Sequence, residues 1–249
     1  SKYKDEPERI DFGESQKFGF SANRIGKVAV ISYHGTMFHR LREHFHIEES
    51  EFVKSLTSIK GGSTGEGKSG MLFFKSCDAQ YVIKTVKDFE LELFEHIAES
   101  YYYHMLMNKD SLICRFFGLY KIRASKLGTS IVIVMNNSLL SPLGKPLRVY
   151  DLKGSTHGRI TPEEDFKKGA TGKDLNLKEK ISIGGSMREK FLRQIEMDRY
   201  FLTVNNIMDY SVLLGVFDRG NRKSADLAKE PHYKSIFQRF FGGMQGTGD

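Results

Sequence analysis

The stretch that most restricts the fold covers residues 62–86, GSTGEGKSGMLFFKSCDAQYVIKTV. It fits the P-loop pattern G-x-x-x-x-G-K-[ST] through Gly62, Gly67, Lys68 and Ser69. A P-loop must lead into a helix, because the phosphates rest on that helix's first free N–H groups. The residues after Ser69 predict something else. Residues 71–74 are an apolar run, 76–79 read as a turn, and 80–86 alternate with the period-2 pattern of a strand. A glycine-rich loop inside a β-hairpin, with a lysine on its second strand, is a different phosphate grip. Both architectures hold a nucleoside triphosphate. The hairpin is favoured, and a helix after Lys68 is what would reverse that preference.

With 249 residues, 12% of them aromatic and 28% charged, the chain can build a real core and is not of disordered composition. A net charge of +7 points to a polyanionic partner, with a merely soluble basic surface as the plain alternative. No dense Lys/Arg arm, RNA-recognition signature or zinc spacing is present, so nucleic acid is not the expected partner. Cys77 and Cys114 are the only cysteines, which excludes a disulfide framework and predicts a reducing, cytoplasmic setting. No run approaches about 18 apolar residues, so any membrane contact is expected to be peripheral.

Residues 1–24 are expected to form a flexible, polar segment. A strand is predicted over 27–33, then a helix carrying Met37, Phe38, Leu41 and Phe45 with Thr36 as its cap, then a short helix near 50–56. Phe89, Leu93, Phe94, Ile97, Tyr101 and Met105 predict an amphipathic helix over 88–107. Strands are predicted at 116–122, 129–135 and 148–153, a loop or insert at 163–180, a helix at 187–204 and a buried-type strand at 211–217. Residues 219–249 read as a polar, mobile tail or insert.

Lys84, on the strand after the glycine-rich loop, is placed to neutralise ATP phosphates; a solvent-facing strand lysine is the plain alternative. Lys68 is its competitor, and in a hairpin tip it would be ancillary. The carboxylate that aims Lys84 is expected from Glu90, Glu92 or Glu95, with Glu90 preferred. Asp209, set among apolar residues before a strand, suits a carboxylate that accepts the proton of an attacking hydroxyl, or else one that caps the strand. Asp151, Lys153 and Ser155 in DLKGST form either a phosphate- or acceptor-binding corner or a tight turn with a surface ion pair.

These motifs converge on a family. DLKGST (151–156), IMDYS (207–211) with Leu213, Leu214 and Gly215, Ile83-Lys84-Thr85, and Val134-Met135-Asn136-Asn137 closely resemble the phosphatidylinositol phosphate kinases. Residues 38–47, Phe116-Phe117-Gly118-Leu119 and Lys173-Asp174 extend the resemblance over roughly residues 25–218. The resemblance implies an α+β, two-lobed protein-kinase-like fold with an antiparallel sheet. Its N-lobe would cover 25–135, with the glycine-rich hairpin and helix C, and its hinge and partial C-lobe 136–218, with the catalytic Asp. It implies transfer of the ATP γ-phosphate to an inositol hydroxyl of a phosphatidylinositol monophosphate in an anionic, cytoplasm-facing membrane surface. ATP and Mg2+ would be the cofactors and a homodimer a candidate assembly. Lys84, Lys153 and Asp209 would be catalytic. Gly65, Gly67, Lys68, Ser69, Gly70, Lys84, Val134, Met135, Asn136 and Asn137 would hold the nucleotide, and Asp151, Lys153 and Ser155 the substrate. A type I-like 5-kinase making phosphatidylinositol 4,5-bisphosphate is preferred over a type II 4-kinase.

The sequence departs from two patterns. Protein kinases place a magnesium-binding Asn five residues after the catalytic Asp, where Leu214 stands here. The family's second metal-binding acid lies in an Ile-Ile-Asp motif, which does not occur before Asp249; Asp218 reads as the turn after the preceding strand. The chain is therefore expected to lack the C-terminal part of the fold, with the metal ligand beyond residue 249. The rival expectation is a catalytically impaired phosphoinositide-binding scaffold.

Overall fold

The computed structural model describes residues 15–22, 26–64, 71–218 and 220. Contacts divide the chain into two compact units, one of Ser1–Lys109 and Cys114–Asn137, the other of Asp110–Ile113 and Ser138–Asp249.

The first unit is built on one antiparallel sheet. It opens with β1 (Gln16–Ala22) and β2 (Gly26–Tyr33), then α1 (Gly35–His44) and α2 (Glu49–Thr57). Next come β3 (Ile59–Thr64), β4 (Leu72–Ser76), β5 (Tyr81–Val86), α3 (Asp88–Met107), β6 (Phe116–Ala124) and β7 (Gly128–Asn136). The strands lie in the order β1-β2-β6-β7-β5-β4-β3. The apolar run in β7 is central because it pairs with β5 on one side and β6 on the other.

Cross-strand partners share a face of the sheet. Ile83 opposite Val134 therefore points to one side, where both join Phe52, Tyr81 and Phe117 in a buried cluster. Lys84 opposite Ile133 points to the other. Ring contacts order the first side: Phe52 and Phe117 each meet Tyr81 edge-on, at 5.1 and 5.9 Å. α3 buries Leu91, Phe94, Ile97, Ala98, Tyr101, Tyr102 and Met105 along one stripe, the period-3.6 pattern that its sequence carries.

Two expectations for this unit change. The polar N-terminal segment contains β1, an edge strand whose Phe18 is exposed. Backbone pairing with β2 holds it, from Ala22 opposite Gly26 at φ +78° onward, so hydropathy carries little trace of it. α1 begins at Gly35, because the Phe38 N–H already donates to the His34 carbonyl at 3.0 Å; Thr36 lies within the first turn and His34 takes the cap position.

The second unit holds β8 (Arg148–Leu152), α4 (Glu163–Lys167), a 3-10 turn (Asp174–Asn176), α5 (Gly185–Val204) and β9 (Val212–Val216). β8 and β9 form a two-stranded antiparallel sheet with Asp151 opposite Leu213. α5 is fixed through buried Asp198, which accepts bonds from the Ser111 hydroxyl and the Leu112 N–H, both at 2.7 Å, and from Gln194 at 2.9 Å. The insert predicted as loop is partly ordered. Phe166 of α4 packs on Tyr150, and the Gly172 backbone bridges β8 by donating to the Val149 carbonyl and accepting from the Asp151 N–H, both at 2.8 Å. β9 is not a buried strand: Val212 and Leu213 are 47% and 49% exposed, because among the described residues only β8 pairs with it.

Candidate active site

In the first unit, Lys84 sits on β5 between Phe73 of β4 and Ile133 of β7. Its Nζ donates to Glu90 Oε1 at 3.2 Å, with 22% and 25% of the two side chains exposed. Lys84 is thus not a solvent-facing strand lysine. Glu90 is the glutamate that the helix makes available, because its other oxygen accepts the Lys87 N–H at 2.9 Å and caps the first turn of α3. A pair this wet contributes about 1 kcal/mol or less, so it supplies orientation rather than stability.

Among the described residues the element that follows the Lys68 segment is strand β4, as a phosphate-gripping hairpin requires and a P-loop forbids. The nucleotide candidates Gly65, Gly67, Lys68, Ser69 and Gly70 lie outside the described residues.

The β7 candidates separate. Met135 and Lys84 are on the same face of the sheet. Val134 is on the opposite one, 3% exposed within the apolar cluster, so its side chain is a core residue rather than a nucleotide contact. Asn136 and Asn137 work structurally. Asn136 Oδ1 accepts the Arg115 N–H at 2.8 Å, and Asn137 Nδ2 donates to the Ala79 carbonyl at 2.8 Å. Their own N–H groups are committed to the Arg115 and Gln80 carbonyls at 3.0 and 2.8 Å. Any contact from Asn136 or Asn137 through these donors would require exchanging an existing bond.

In the second unit, the DLKGST and IMDYS segments, 56 residues apart, meet: the Lys153 ammonium donates to Asp209 Oδ1. Asp209 is 83% exposed, not set in apolar surroundings, and it adopts φ +60°, which turns its carboxylate out ahead of β9. The hydrogen bond and charge of Lys153 hold its pKa below the usual carboxylate range. A cleft of about 920 Å³ opens here, lined among others by Lys153, Ser155, His157, Arg159, Asn206 and Asp209.

Asp151 faces Arg159 rather than the cleft: the guanidinium donates to its Oδ2 at 3.2 Å and to its carbonyl. Asp174 takes the Arg159 Nε at 2.7 Å and the N–H groups of Lys153 and Gly154 at 3.0 and 2.7 Å. The Arg159 bond, helped by these amides, brings Asp174 down to about 2.

Sequence reasoning assigned no role to Arg159 or His157 and gave Asp174 none beyond the resemblance.

The chemistry on offer is cationic and acid–base. Lys153 and Arg159 bring cations to the lining, each already paired with a carboxylate, His157 adds an imidazole, and Asp209 is largely exposed beside them. Magnesium usually takes one or two carboxylates besides substrate phosphates. Among the described residues no group of three or more His, Cys, Asp or Glu side chains could hold a metal, and Asp209 already carries an ammonium. Among the described residues there is thus no all-protein cluster for a metal.

Residues 56–239 match the family model described as phosphatidylinositol-4-phosphate 5-kinase. Phosphatidylinositol 4-phosphate 5-kinase 9 of Arabidopsis thaliana is 34% identical over 224 residues, covering 84% of this chain and 27% of that protein. The phosphatidylinositol 4-phosphate 5-kinase its3 of Schizosaccharomyces pombe is 35% identical, covering 85% of this chain and 31% of its own length. A probable phosphatidylinositol phosphate kinase of Dictyostelium discoideum is 36% identical over 79% of this chain. The chain spans between a quarter and a third of the length of these relatives. Its sequence motifs, its mixed α+β fold and the family match agree, and the chain belongs to the phosphatidylinositol-4-phosphate 5-kinase family.

Proposed function

We propose that this chain carries the ATP-gripping and hydroxyl-activating residues of a lipid kinase that phosphorylates phosphatidylinositol 4-phosphate at the 5-hydroxyl. The observation that supports it most is the convergence of Lys153 and Asp209 on one polar cleft, from two motifs far apart in the sequence. The free oxygen of Asp209 accepts the hydrogen of the inositol hydroxyl. As the hydroxyl oxygen bonds to the γ-phosphorus, the bond from that phosphorus to the β–γ bridging oxygen breaks. ADP departs, and the proton passes to the carboxylate. Lys84, aimed by Glu90, neutralises the nucleotide phosphates, and Lys153 sits where negative charge collects on the acceptor side. Magnesium accompanies ATP in this chemistry, but no step is assigned to it here.

The lipid is met at an anionic surface. The net charge of +7 favours such a surface, each nearby cation contributing about 1 kcal/mol. No helix among the described residues is long and apolar enough to cross a membrane. A homodimer is the assembly to test by sedimentation.

Transfer of labelled phosphate from ATP to vesicles containing phosphatidylinositol 4-phosphate tests the assignment, with the 3- and 5-monophosphates as controls. Lys84→Met and Asp209→Asn should each lower transfer at least about 100-fold. Undiminished transfer by either variant removes the role given to that residue. Preference for the 5-monophosphate would make the protein a 4-kinase, and no transfer by the full-length protein would leave a phosphoinositide-binding scaffold.

A further inference from the structure

Asp174 takes no part in the phosphoryl transfer just described, yet its carboxylate joins three separated pieces of the second unit. One oxygen accepts the successive N–H groups of Lys153 and Gly154, and the other accepts the Arg159 Nε. Two successive amides reach one oxygen because Gly154 stands at φ +71°; a Cβ there would meet nothing within 4 Å, so the glycine serves backbone geometry, not space. Arg159 then turns its far nitrogen back to Asp151, so that residues on both sides of Lys153 are held. The turn carrying Asp174 is itself pinned. Asn176 Oδ1 accepts the Thr161 and Lys173 N–H groups at 2.8 and 2.9 Å, and its amide nitrogen donates to the Thr161 carbonyl at 2.9 Å.

The side chain that benefits is Lys153. Its four-carbon stem is flexible and its ammonium gives no directional fork, so where the charge stands depends on how firmly its backbone is anchored. Among the described residues its ammonium is partnered by Asp209. We propose that Asp174 is a positioning residue of the candidate active site: by clamping the Lys153 and Gly154 amides against Arg159, it sets the Lys153 ammonium beside the Asp209 carboxylate. The proposal rests on reading Asp209 as the acceptor of the hydroxyl proton, and it assigns a task to an acid in the segment the sequence reads as a loop.

A carboxylate is required because only an all-acceptor group satisfies three donors at once; an amide would turn an N–H toward either the backbone or the guanidinium. Asp174→Asn should therefore release the corner. The titration of the Asp209 carboxyl, followed by carbon-13 NMR in the intact protein, reads the consequence without requiring turnover. The charged and titratable groups facing Asp209 are Lys153 and Arg159, with His157 and Tyr210 on the cleft wall.

In the parent protein Asp209 should titrate below the ordinary carboxylate range. In Asp174→Asn its midpoint should rise toward that range, and Lys153→Met should give the full rise. An unchanged Asp209 midpoint in folded Asp174→Asn overturns the proposal. If that variant does not fold, Asp174→Ser, which keeps one small acceptor, takes its place with the same expectations. In the transfer assay, kcat should fall about 10- to 100-fold in Asp174→Asn with KM for ATP within about 2-fold, the signature of misplaced rather than missing groups. A raised KM for ATP with kcat unchanged also overturns it. If the parent protein transfers no phosphate, the kinase assignment fails, while the Asp209 midpoint still decides the role of Asp174.

Discussion

Replacing Tyr101 with Phe tests how α3, the helix that supplies Glu90, is tied to the sheet. Tyr101 is 1% exposed, and its hydroxyl does two things at once. It accepts the Phe116 N–H at 2.7 Å and donates to the Cys114 carbonyl at 3.0 Å. The register of β6 against β7 slips between Phe116 and Gly118, so this amide sits at an irregular point at the start of β6, where a side chain completes the bonding. Burial drives the phenol pKa far above its ordinary value, so the hydroxyl stays protonated and keeps donating throughout the working pH range.

Tyr101→Phe preserves the ring and its packing against Phe94 and Phe116 at 5.7 and 5.3 Å. It removes only the oxygen. One desolvated donor loses its partner, costing about 1–3 kcal/mol, and one ordinary hydrogen bond of about 1 kcal/mol disappears, for a total of roughly 2–4 kcal/mol. For a domain of this size each kcal/mol lowers Tm by about 2–4 °C, so scanning calorimetry should find a fall of roughly 4–16 °C. Tyr101→Leu should cost more, because it also leaves a cavity. A Tm for Tyr101→Phe within about 1 °C of the parent would refute the argument that this hydroxyl is the tether.

Three further outcomes are expected. Glu90→Gln keeps the cap on the Lys87 N–H but removes the charge facing Lys84, so KM for ATP should rise several-fold while Tm moves by less than about 2 °C; an unchanged KM would show that the lysine needs no aiming. Asp174 is held down to about 2, so its contribution to the corner is complete above the ordinary value of 3.8 and is lost as pH falls toward 2. The Gly154 amide shift should accordingly be flat from pH 7 to about 4 and change below it, and a transition centred above pH 5 would contradict the Arg159 clamp. Burial pushes the Cys114 thiol up to about 12, so a maleimide at pH 8 should label it in the native protein far more slowly than in denaturant; equal rates would mean that the β6 edge opens freely.

The sequence alone was enough for the local elements whose periodicity is strong and for the motifs whose chemistry is compact. α3, β7 and α5 follow from apolar spacing, and the hairpin could be told from a P-loop because an apolar run, a turn and a period-2 stretch stand where a helix would have had to begin. Lys84, Lys153 and Asp209 were legible as residue types in telling surroundings. Tertiary structure decided what depends on the meeting of distant residues. It chose Glu90 through a helix cap, sent Val134 into the core by the pleat of β7, left β9 exposed, and made a strand of the polar segment at Gln16–Ala22. Above all it gave Asp174 its three donors, from residues 15 to 21 positions away. The physical reason is the same throughout: periodicity and propensity act over a few neighbouring residues, whereas hydrogen-bond partners and the face a side chain presents are fixed only when the chain folds back on itself.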